Sequence, residues 1–322
     1  MAGVVAAAWA VAAAGAADVV KGNDMNSNKL TRLLAAFLCA GALILPAHAV
    51  GTFPTPEAAM EAFGAAVIDN DEAAKQAIVG KNYRDVIPPV DSANRYLFLE
   101  YWARSHKIEM IGDTKARIAV GDSGWTLPLP LVKTKAGWQF DMKAGKEEII
   151  IRQIGRNELA AIKVARAFVE AQQEYAAQDR NGDGVPEYAR KIVSSPGRTD
   201  GLYWPKTAGK EDSPLGRLIA DAAAERGTNI KGSYHGYRYR ILTAQGPDAP
   251  GGALDYVVNG HMTGGFGLLL WPAEYGKSGV MTFMINHQGL LLEKDLGPGT
   301  ADKVTRLRTF NPDTSWRKVD NP

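Results

Sequence analysis

The segment DRNGDGVPEYAR, residues 179–190, places side-chain oxygens at the spacing that calcium-binding loops use. In the helix–loop–helix calcium template the ligands occupy positions 1, 3, 5, 7, 9 and 12, with glycine at position 6. Asp179, Asn181 and Asp183 fit the first three positions, and position 6 is a glycine. Arg190 stands at position 12, where the template needs a bidentate glutamate, so a complete hand of this type is not expected.

The same segment fits a shorter calcium loop in which no ligand is missing. Its spacing resembles DxNGDGxxD, the calcium loop of integrin-type propeller repeats, whose ninth residue is acidic, as Glu187 is here. The expected oxygen ligands of a structural calcium ion are Asp179, Asn181, Asp183, the Val185 carbonyl and Glu187. The alternative is a metal-free Asn-Gly-Asp-Gly turn that ends the preceding helix, because these residue types favour such turns.

Three histidines in the last third of the chain are candidates for a different metal site. His235, His261 and His287 fall in a region of predicted strands, and three converging histidines would form a zinc site. None of them has a partner at ligand spacing in the sequence. Each lies near a predicted strand end or turn, so we interpret them as half-exposed histidines without a metal.

Two further patterns resemble catalytic motifs and are explained without catalysis. GDSGW, residues 121–125, resembles the segment around the nucleophile of serine proteases, but the preceding His106 lacks the protease context and a hairpin turn accounts for the residues. Glu147 and Glu148 are adjacent, so in a strand they face opposite sides and form no acid and base pair. The sequence also carries no glycine-rich phosphate loop before a helix.

The charge balance gives no support for a polyanionic partner. The chain has 37 Lys and Arg residues against 35 Asp and Glu residues, and removal of residues 1–49 leaves 34 against 33. A nearly neutral chain gives no electrostatic argument for binding nucleic acid or an anionic membrane. We therefore interpret YHGYRYR, residues 234–240, as an amphipathic strand rather than a surface for stacking bases.

Residues 25–49 have the order of an export signal. Lys29 and Arg32 precede the apolar run LLAAFLCAGALIL, which is followed by a proline and AHA, so cleavage is expected after Ala49. The alternative is an uncleaved anchor, but the run from Leu33 to Leu45 has 13 residues. A membrane-spanning helix needs about 20. No stable membrane insertion is expected after cleavage.

The first residues and the cysteine content bear on the cellular compartment. We interpret residues 1–24 as a misassigned start, because Met25 begins a complete signal by itself. Cys39, the only cysteine, lies inside the signal and is followed by more apolar residues, so neither a disulfide nor a lipid anchor is expected. An exported chain without disulfides fits a bacterial periplasm or a secreted protein.

Residues 50–154 are predicted to form the first of two α+β domains, each with helices packed on an antiparallel sheet. Three helices come first and begin near Thr55, Asp71 and Ser92, all of which are capping residues. The period then changes, and KARIAVG, WTLPLPLVK and GWQFDM predict strands, of which the middle one is an edge or bulged strand because of Pro128 and Pro130. Helices followed by curved strands resemble the cone-shaped fold of cystatins and nuclear transport factor two, which often encloses a pocket.

Residues 155–322 are predicted to form the second domain. Its helix is expected from Asn157 to Gln178, followed by a long loop over 179–231 that contains a helix at 213–227. Antiparallel strands follow, and GVMTFMIN alternates as a strand does when one face meets a core. This order resembles the globular heads of type IV pilins and pseudopilins. The processing site of pilins is missing, so pilus assembly is not expected.

A broader resemblance covers nearly all of the chain after the signal. It is to the bacterial exported family catalogued as domain of unknown function 2950, and it rests on the runs WTLPLPLV, GWQFDMKAGKEEI, IGRNELAAI, AQQEYAAQDRNGDGVPEYA, YHGYRYRILTAQGPDAPGGALDYVVNG, MTGGFGLLLWPAEYG and EKDLG. The resemblance implies a secreted or periplasmic protein without an assigned activity, so it supplies no site residues.

These patterns favour an exported, non-catalytic binding or envelope-associated module whose partner is an unknown protein or envelope component. The alternative is a hydrolase or isomerase with a pocket in the first domain. The nearest catalytic candidates there are Asp113, Tyr101, Trp102 and His106. Convergence of titratable groups in a roomy pocket would favour the enzyme.

Overall fold

The chain folds into two compact units of mixed helix and sheet. A computed structural model describes residues 51–87, 92–206, 211–216 and 233–320. Its backbone contacts define the units as Met1–Ile149 and Ile150–Pro322, and the α+β class is confirmed. The proposed signal and most of the helix predicted at 213–227 lie outside the described residues. Within those ranges, no helix combines the length and the apolar character that a membrane span requires.

The first unit begins with three helices, and capping residues set the starts of the first two. They are α1 Pro56–Ile68, α2 Glu72–Val79 and α3 Ser92–Arg104. Thr55 Oγ1 accepts a hydrogen bond from Ala58 N at 3.1 Å, and Asp71 Oδ1 accepts one from Ala74 N at 2.9 Å. These bonds satisfy amides that the first helical turn leaves without partners, and both predicted caps are confirmed.

Four antiparallel strands complete the first unit in the order β1-β2-β3-β4. They are β1 His106–Ile111, β2 Lys115–Val120, β3 Leu131–Thr134 and β4 Gly137–Phe140. The segment WTLPLPLVK is interrupted, as its prolines predict: Thr126 forms an isolated bridge with β2, and the strand β3 begins only at Leu131, after two prolines that have no amide hydrogen to donate. The edge position is wrong, because β3 pairs with both β2 and β4. β1 is not predicted at all, since HKIEMI shows no strict alternation of apolar and polar residues.

One aromatic and aliphatic core joins the helices and the sheet of this unit. Phe63 of α1 is fully buried and lies 6.4 Å from the Trp102 ring and 5.6 Å from the Phe140 ring, between centroids. Ile118 and Leu131 contribute fully buried side chains from β2 and β3. The order of helices and strands agrees with the prediction, while the likeness to cystatins stays a prediction.

A long helix, α4, extends from Met142 to Ala176 over 35 residues. The predicted start at Asn157 is wrong, and so is the strand context expected for Glu147 and Glu148, which occupy consecutive positions of the helix. The glycines and the isoleucine run in MKAGKEEIIIRQIG weaken the helical signal. Asp141 supplies the missing start signal, because its Oδ1 accepts a hydrogen bond from Ala144 N at 3.0 Å.

The second unit contains a five-stranded antiparallel sheet in the order β13-β12-β11-β10-β5. Its strands are β5 Tyr237–Leu242, β10 Gly267–Pro272, β11 Met281–Asn286, β12 Leu291–Asp295 and β13 Arg317–Lys318. In the sequence between β5 and β10, four short strands form two small ladders. The first pairs β6 Ala244–Gln245 with β7 Leu254–Asp255, and the second pairs β8 Val257–Val258 with β9 His261–Met262. A short helix, α5, spans Thr300–Lys303.

Both faces of the central strand β11 are buried, which corrects the expectation of one core face. Phe283 and Ile285 belong to the core that includes Phe168 of α4, and Met284 belongs to a separate core with Phe310. The alternation in GVMTFMIN therefore separates two cores rather than a core from solvent. Antiparallel sheets commonly leave one face to solvent, whereas here the segment after β12 covers the second face of the sheet.

Polar side chains fix α4 to the β10–β11 connection. Glu158 Oε1 accepts hydrogen bonds from Val280 N and Met281 N, both at 2.9 Å. Asn157 Nδ2 donates to the Ser278 carbonyl at 2.7 Å. These bonds satisfy backbone groups at the start of β11 and in the connection before it, and they set the position of α4 along the sheet.

Candidate metal centre

Hydrogen bonds to α4 and to β9 fix the residues that follow the 179–187 loop. Gln172 of α4 pairs with the backbone of Ala189 as a strand would, donating Nε2 to the carbonyl and accepting the amide at Oε1, both at 2.8 Å. Tyr188 N donates to the Met262 carbonyl in β9 at 2.9 Å. Residues 179–187 therefore connect the end of α4 to a segment that is bonded to the β8–β9 hairpin.

The first carboxylate of the loop is used to shape the turn. Asp179 Oδ1 accepts a hydrogen bond from Gly182 N at 2.8 Å, and Oδ2 accepts one from Gly184 N at 2.7 Å. The bond from Gly184, followed by that from Gly182, lowers the pKa of Asp179 because both favour the ionised carboxylate. Gly182 and Gly184 have φ angles of 75° and 89°, a backbone conformation that favours glycine.

Three ligand-type side chains converge beside this turn. Asp183 Oδ2 lies 3.6 Å from His261 Nδ1, and Glu187 Oε1 lies 3.9 Å from the same nitrogen. One donor atom from each of these residues lies within 4.8 Å of the others. Asn181 Nδ2 fills part of the space between the two carboxylates, at 2.7 Å from Asp183 Oδ2 and 3.3 Å from Glu187 Oε1.

The carboxylate oxygens that face away from this space have backbone partners. Asp183 Oδ1 accepts a hydrogen bond from Val185 N at 3.0 Å. Glu187 Oε2 accepts one from Met262 N in β9 at 2.9 Å, and it lies 3.9 Å from the Arg190 guanidinium. The two carboxylates are therefore held with one oxygen each directed toward His261.

The predicted ligand set is brought together only in part. Asn181, Asp183 and Glu187 meet, whereas Asp179 directs both oxygens at amides of its own turn. His261 has no partner at ligand spacing in the sequence, yet in the structure its Nδ1 faces the carboxylates of Asp183 and Glu187. The sequence holds no local signal for it, because His261 reaches the loop through β9 strand geometry rather than through a short spacing.

The other two histidines of the predicted zinc trio lie elsewhere. His287 packs edge-on against the rings of Tyr256 and Phe266, and its burial lowers the pKa of the imidazole. His235 lies at the turn before β5, against the Tyr234 ring. Among the described residues, the group that could hold a metal contains two carboxylates and one histidine rather than three histidines.

Comparison with known families gives the chain a family but no activity. The model described as "Protein of unknown function (DUF2950)" matches residues 51–319. The chain belongs to the DUF2950 family. The match includes the whole of the loop and His261. No curated protein and no solved structure shows significant similarity to the chain.

The catalytic candidates of the first unit of this DUF2950 protein do not all converge, because Asp113 lies apart from His106 and Trp102. His106 stacks on Trp102 with a centroid distance of 4.5 Å, and its Nδ1 lies 2.8 Å from the Trp102 carbonyl oxygen. Asp113 lies in the turn at the opposite end of the β1–β2 hairpin, since the register pairs His106 with Val120 and Ile111 with Lys115. Five residues of strand separate these ends by roughly 17 Å.

A serine and a lysine in the second unit lie at the distance of a catalytic pair but serve the structure. Lys191 Nζ donates to Ser195 Oγ at 2.8 Å and to Asp200 Oδ2 at 2.7 Å. The hydrogen bond from Lys191 is the largest cause that lowers the pKa of Asp200 to about 2. Asp200 also accepts hydrogen bonds from Ser195 N at 2.7 Å and from Ser195 Oγ at 3.0 Å, so the three side chains together close the segment between residues 191 and 200.

Proposed function

We propose that the protein is an exported envelope module that acts by binding rather than by covalent chemistry, and that its 179–187 loop binds a structural calcium ion. The observation that carries the proposal is the approach of Asp183 and Glu187, which share a single amide donor, Asn181 Nδ2. Two carboxylates facing one space repel each other unless a cation lies between them.

The ligand chemistry of the loop suits calcium. Calcium takes 6–8 oxygen ligands at 2.3–2.6 Å, often including backbone carbonyls and waters. The loop offers side-chain oxygens from Asp179, Asn181, Asp183 and Glu187, together with the Val185 carbonyl.

Such an ion would stabilise the end of α4 and the β8–β9 hairpin at once. Glu187 already accepts the amide of Met262, a residue 75 positions further along the chain. An ion bound to Glu187 would add a second connection between these segments. The module's partner would then be an unknown protein or an envelope component bound by a surface that the loop keeps ordered.

Calcium is expected to raise the melting temperature of the purified chain. At a calcium concentration ten times the dissociation constant, binding stabilises the folded state by about 1.4 kcal/mol, which raises the melting temperature by about 3–6 °C. Asp183→Asn should remove the increase, because it takes away one carboxylate charge and keeps the side-chain volume. Melting curves recorded in calcium and in chelator measure the difference.

The matched control for this experiment is Asp122→Asn in the exposed bend after β2. It removes the same charge from the surface and should leave the calcium-dependent increase unchanged. Equal melting temperatures of the unmodified chain in calcium and in chelator would contradict the calcium proposal.

The export proposal predicts a defined N-terminus. Protein recovered from the periplasm or medium of a bacterial producer should begin at Val50, because the AHA sequence ends at Ala49. Intact-mass spectrometry measures the start of the chain. A cytosolic protein that retains residues 25–49 would contradict export.

A further inference from the structure

We infer that Asp183, Glu187 and His261 form a zinc site that competes with calcium for the 179–187 loop. The inference rests on the proposed function only because the two ions would share Asp183 and Glu187. It adds a ligand from another part of the chain, His261 in β9, and a second class of ion. Zinc and calcium binding would then be mutually exclusive.

The spacing of the three donor atoms matches a small ion with short bonds. Zinc binds histidine nitrogen and carboxylate oxygen at 2.0–2.2 Å, and two ligands of a tetrahedral zinc are therefore about 3.3–3.6 Å apart. His261 Nδ1 lies 3.6 Å from Asp183 Oδ2 and 3.9 Å from Glu187 Oε1. Both distances from His261 Nδ1 are therefore within a few tenths of an ångström of zinc spacing, and one donor atom from each of the three residues lies within 4.8 Å of the others.

The histidine nitrogen is directed at the carboxylates without a hydrogen bond. His261 Nδ1 is shielded from solvent and has no hydrogen-bond partner among the described residues. A shielded nitrogen without a partner costs free energy, and a metal ion would satisfy its lone pair. This observation is independent of the loop's acidic residues, because His261 comes from a different strand.

Backbone amides orient both carboxylates for this role. Val185 N holds the far oxygen of Asp183, and Met262 N holds the far oxygen of Glu187. Metal-binding carboxylates in proteins are typically hydrogen-bonded in this way, which directs the free oxygen at the ion. The two other oxygens, Asp183 Oδ2 and Glu187 Oε1, face His261 Nδ1 and share the Asn181 Nδ2 donor, which a bound ion would displace.

The imidazole decides which ion these three residues prefer. Calcium prefers oxygen ligands, whereas imidazole nitrogen suits zinc and neighbouring transition metals. Asp179, Asn181 and the Val185 carbonyl would serve calcium but are not needed for zinc. A zinc ion with three protein ligands has one further position, which water can occupy.

Two variants separate the zinc site from the calcium site. His261→Ala should weaken zinc binding at least about 100-fold and leave calcium affinity unchanged, because it removes one of three zinc ligands and no calcium ligand. Asn181→Ala should weaken calcium binding and leave zinc affinity within about threefold. Titration of the metal-free full chain with zinc chloride or calcium chloride, followed by calorimetry, measures both affinities, and zinc should displace bound calcium.

A control variant and two spectroscopic measurements distinguish loss of the zinc site from misfolding of the variant. His106→Ala removes another partly exposed histidine whose Nε2 lies 3.5 Å from a carboxylate, Glu61, and it should not change zinc affinity. Cobalt bound in place of zinc should give the intense visible absorption of tetrahedral coordination in the unmodified chain and lose it in His261→Ala. Far-ultraviolet circular dichroism confirms that each variant is folded.

The outcomes distinguish the two proposals. Zinc affinity that is unchanged in folded His261→Ala, or an absence of zinc binding by the unmodified chain, would overturn the zinc inference and leave the calcium proposal intact. Zinc binding that depends on His261 in a chain that binds no calcium would support the inference and overturn the calcium proposal.

Discussion

Replacing Phe266 with alanine is expected to lower the free energy of unfolding of the second unit by about 3–5 kcal/mol. Phe266 is fully buried, and its ring lies 5.6 Å from that of Phe168 and 4.8 Å from that of Tyr188, between centroids. The substitution removes apolar contacts and leaves a cavity that α4 and the sheet cannot close. Urea denaturation monitored by circular dichroism measures the loss.

Leu159→Ala on α4 is the matched control, because Leu159 is 56% exposed. It should change the unfolding free energy by no more than about 0.5 kcal/mol. Phe266→Ala should also weaken binding of either ion, since Tyr188 packs on Phe266 and adjoins Glu187. A loss below about 1 kcal/mol would contradict the fully packed core described for this unit.

Two glycine-to-alanine substitutions in helices are expected to have opposite effects. In a helix interior the change normally stabilises by about 1 kcal/mol, because alanine loses less backbone entropy. At Gly64 of α1, a Cβ would lie 2.5 Å from Cζ2 of Trp102, a buried ring stacked against His106 and packed on Phe98. Gly64→Ala should therefore destabilise the first unit by about 1–3 kcal/mol.

Gly155 of α4 provides the comparison, because among the described residues no atom beyond its chain neighbours and the adjacent helix backbone lies within 4 Å of a Cβ built there. Gly155→Ala should stabilise the second unit by about 1 kcal/mol. Differential scanning calorimetry of the full chain measures both changes and separates the transitions of the units. If Gly64→Ala raised the melting temperature as Gly155→Ala does, the packing of Trp102 against α1 would be contradicted.

The fold was predictable where local chemistry decides it. Thr55 and Asp71 start helices through bonds to residues three positions away, so sequence alone is sufficient. The first half of α4 was missed because its glycines and isoleucines are poor helix formers, and tertiary packing overrides such preferences. The double burial of β11 was missed because alternation does not distinguish a solvent face from a second core.

The candidate site also combines residues that the local sequence predicts with one that only tertiary contacts bring into place. The loop spacing of Asp179, Asn181, Asp183 and Glu187 can be read from the sequence because all four residues lie in one turn. His261 cannot, since its position depends on Tyr188 and Glu187 both pairing with β9. Asp179 was assigned the same role as Asp183, although hydrogen bonds to glycine amides distinguish the two.

The bonds that fix α4 have a consequence for the order in which the second unit folds. Asn157 and Glu158 find their backbone partners 121 to 123 positions later in the chain. Closing so long a loop costs entropy before any contact rewards it, which slows folding. During synthesis α4 emerges well before the β10–β11 connection that holds it, so this unit is expected to resist proteases only once its C-terminal strands are complete.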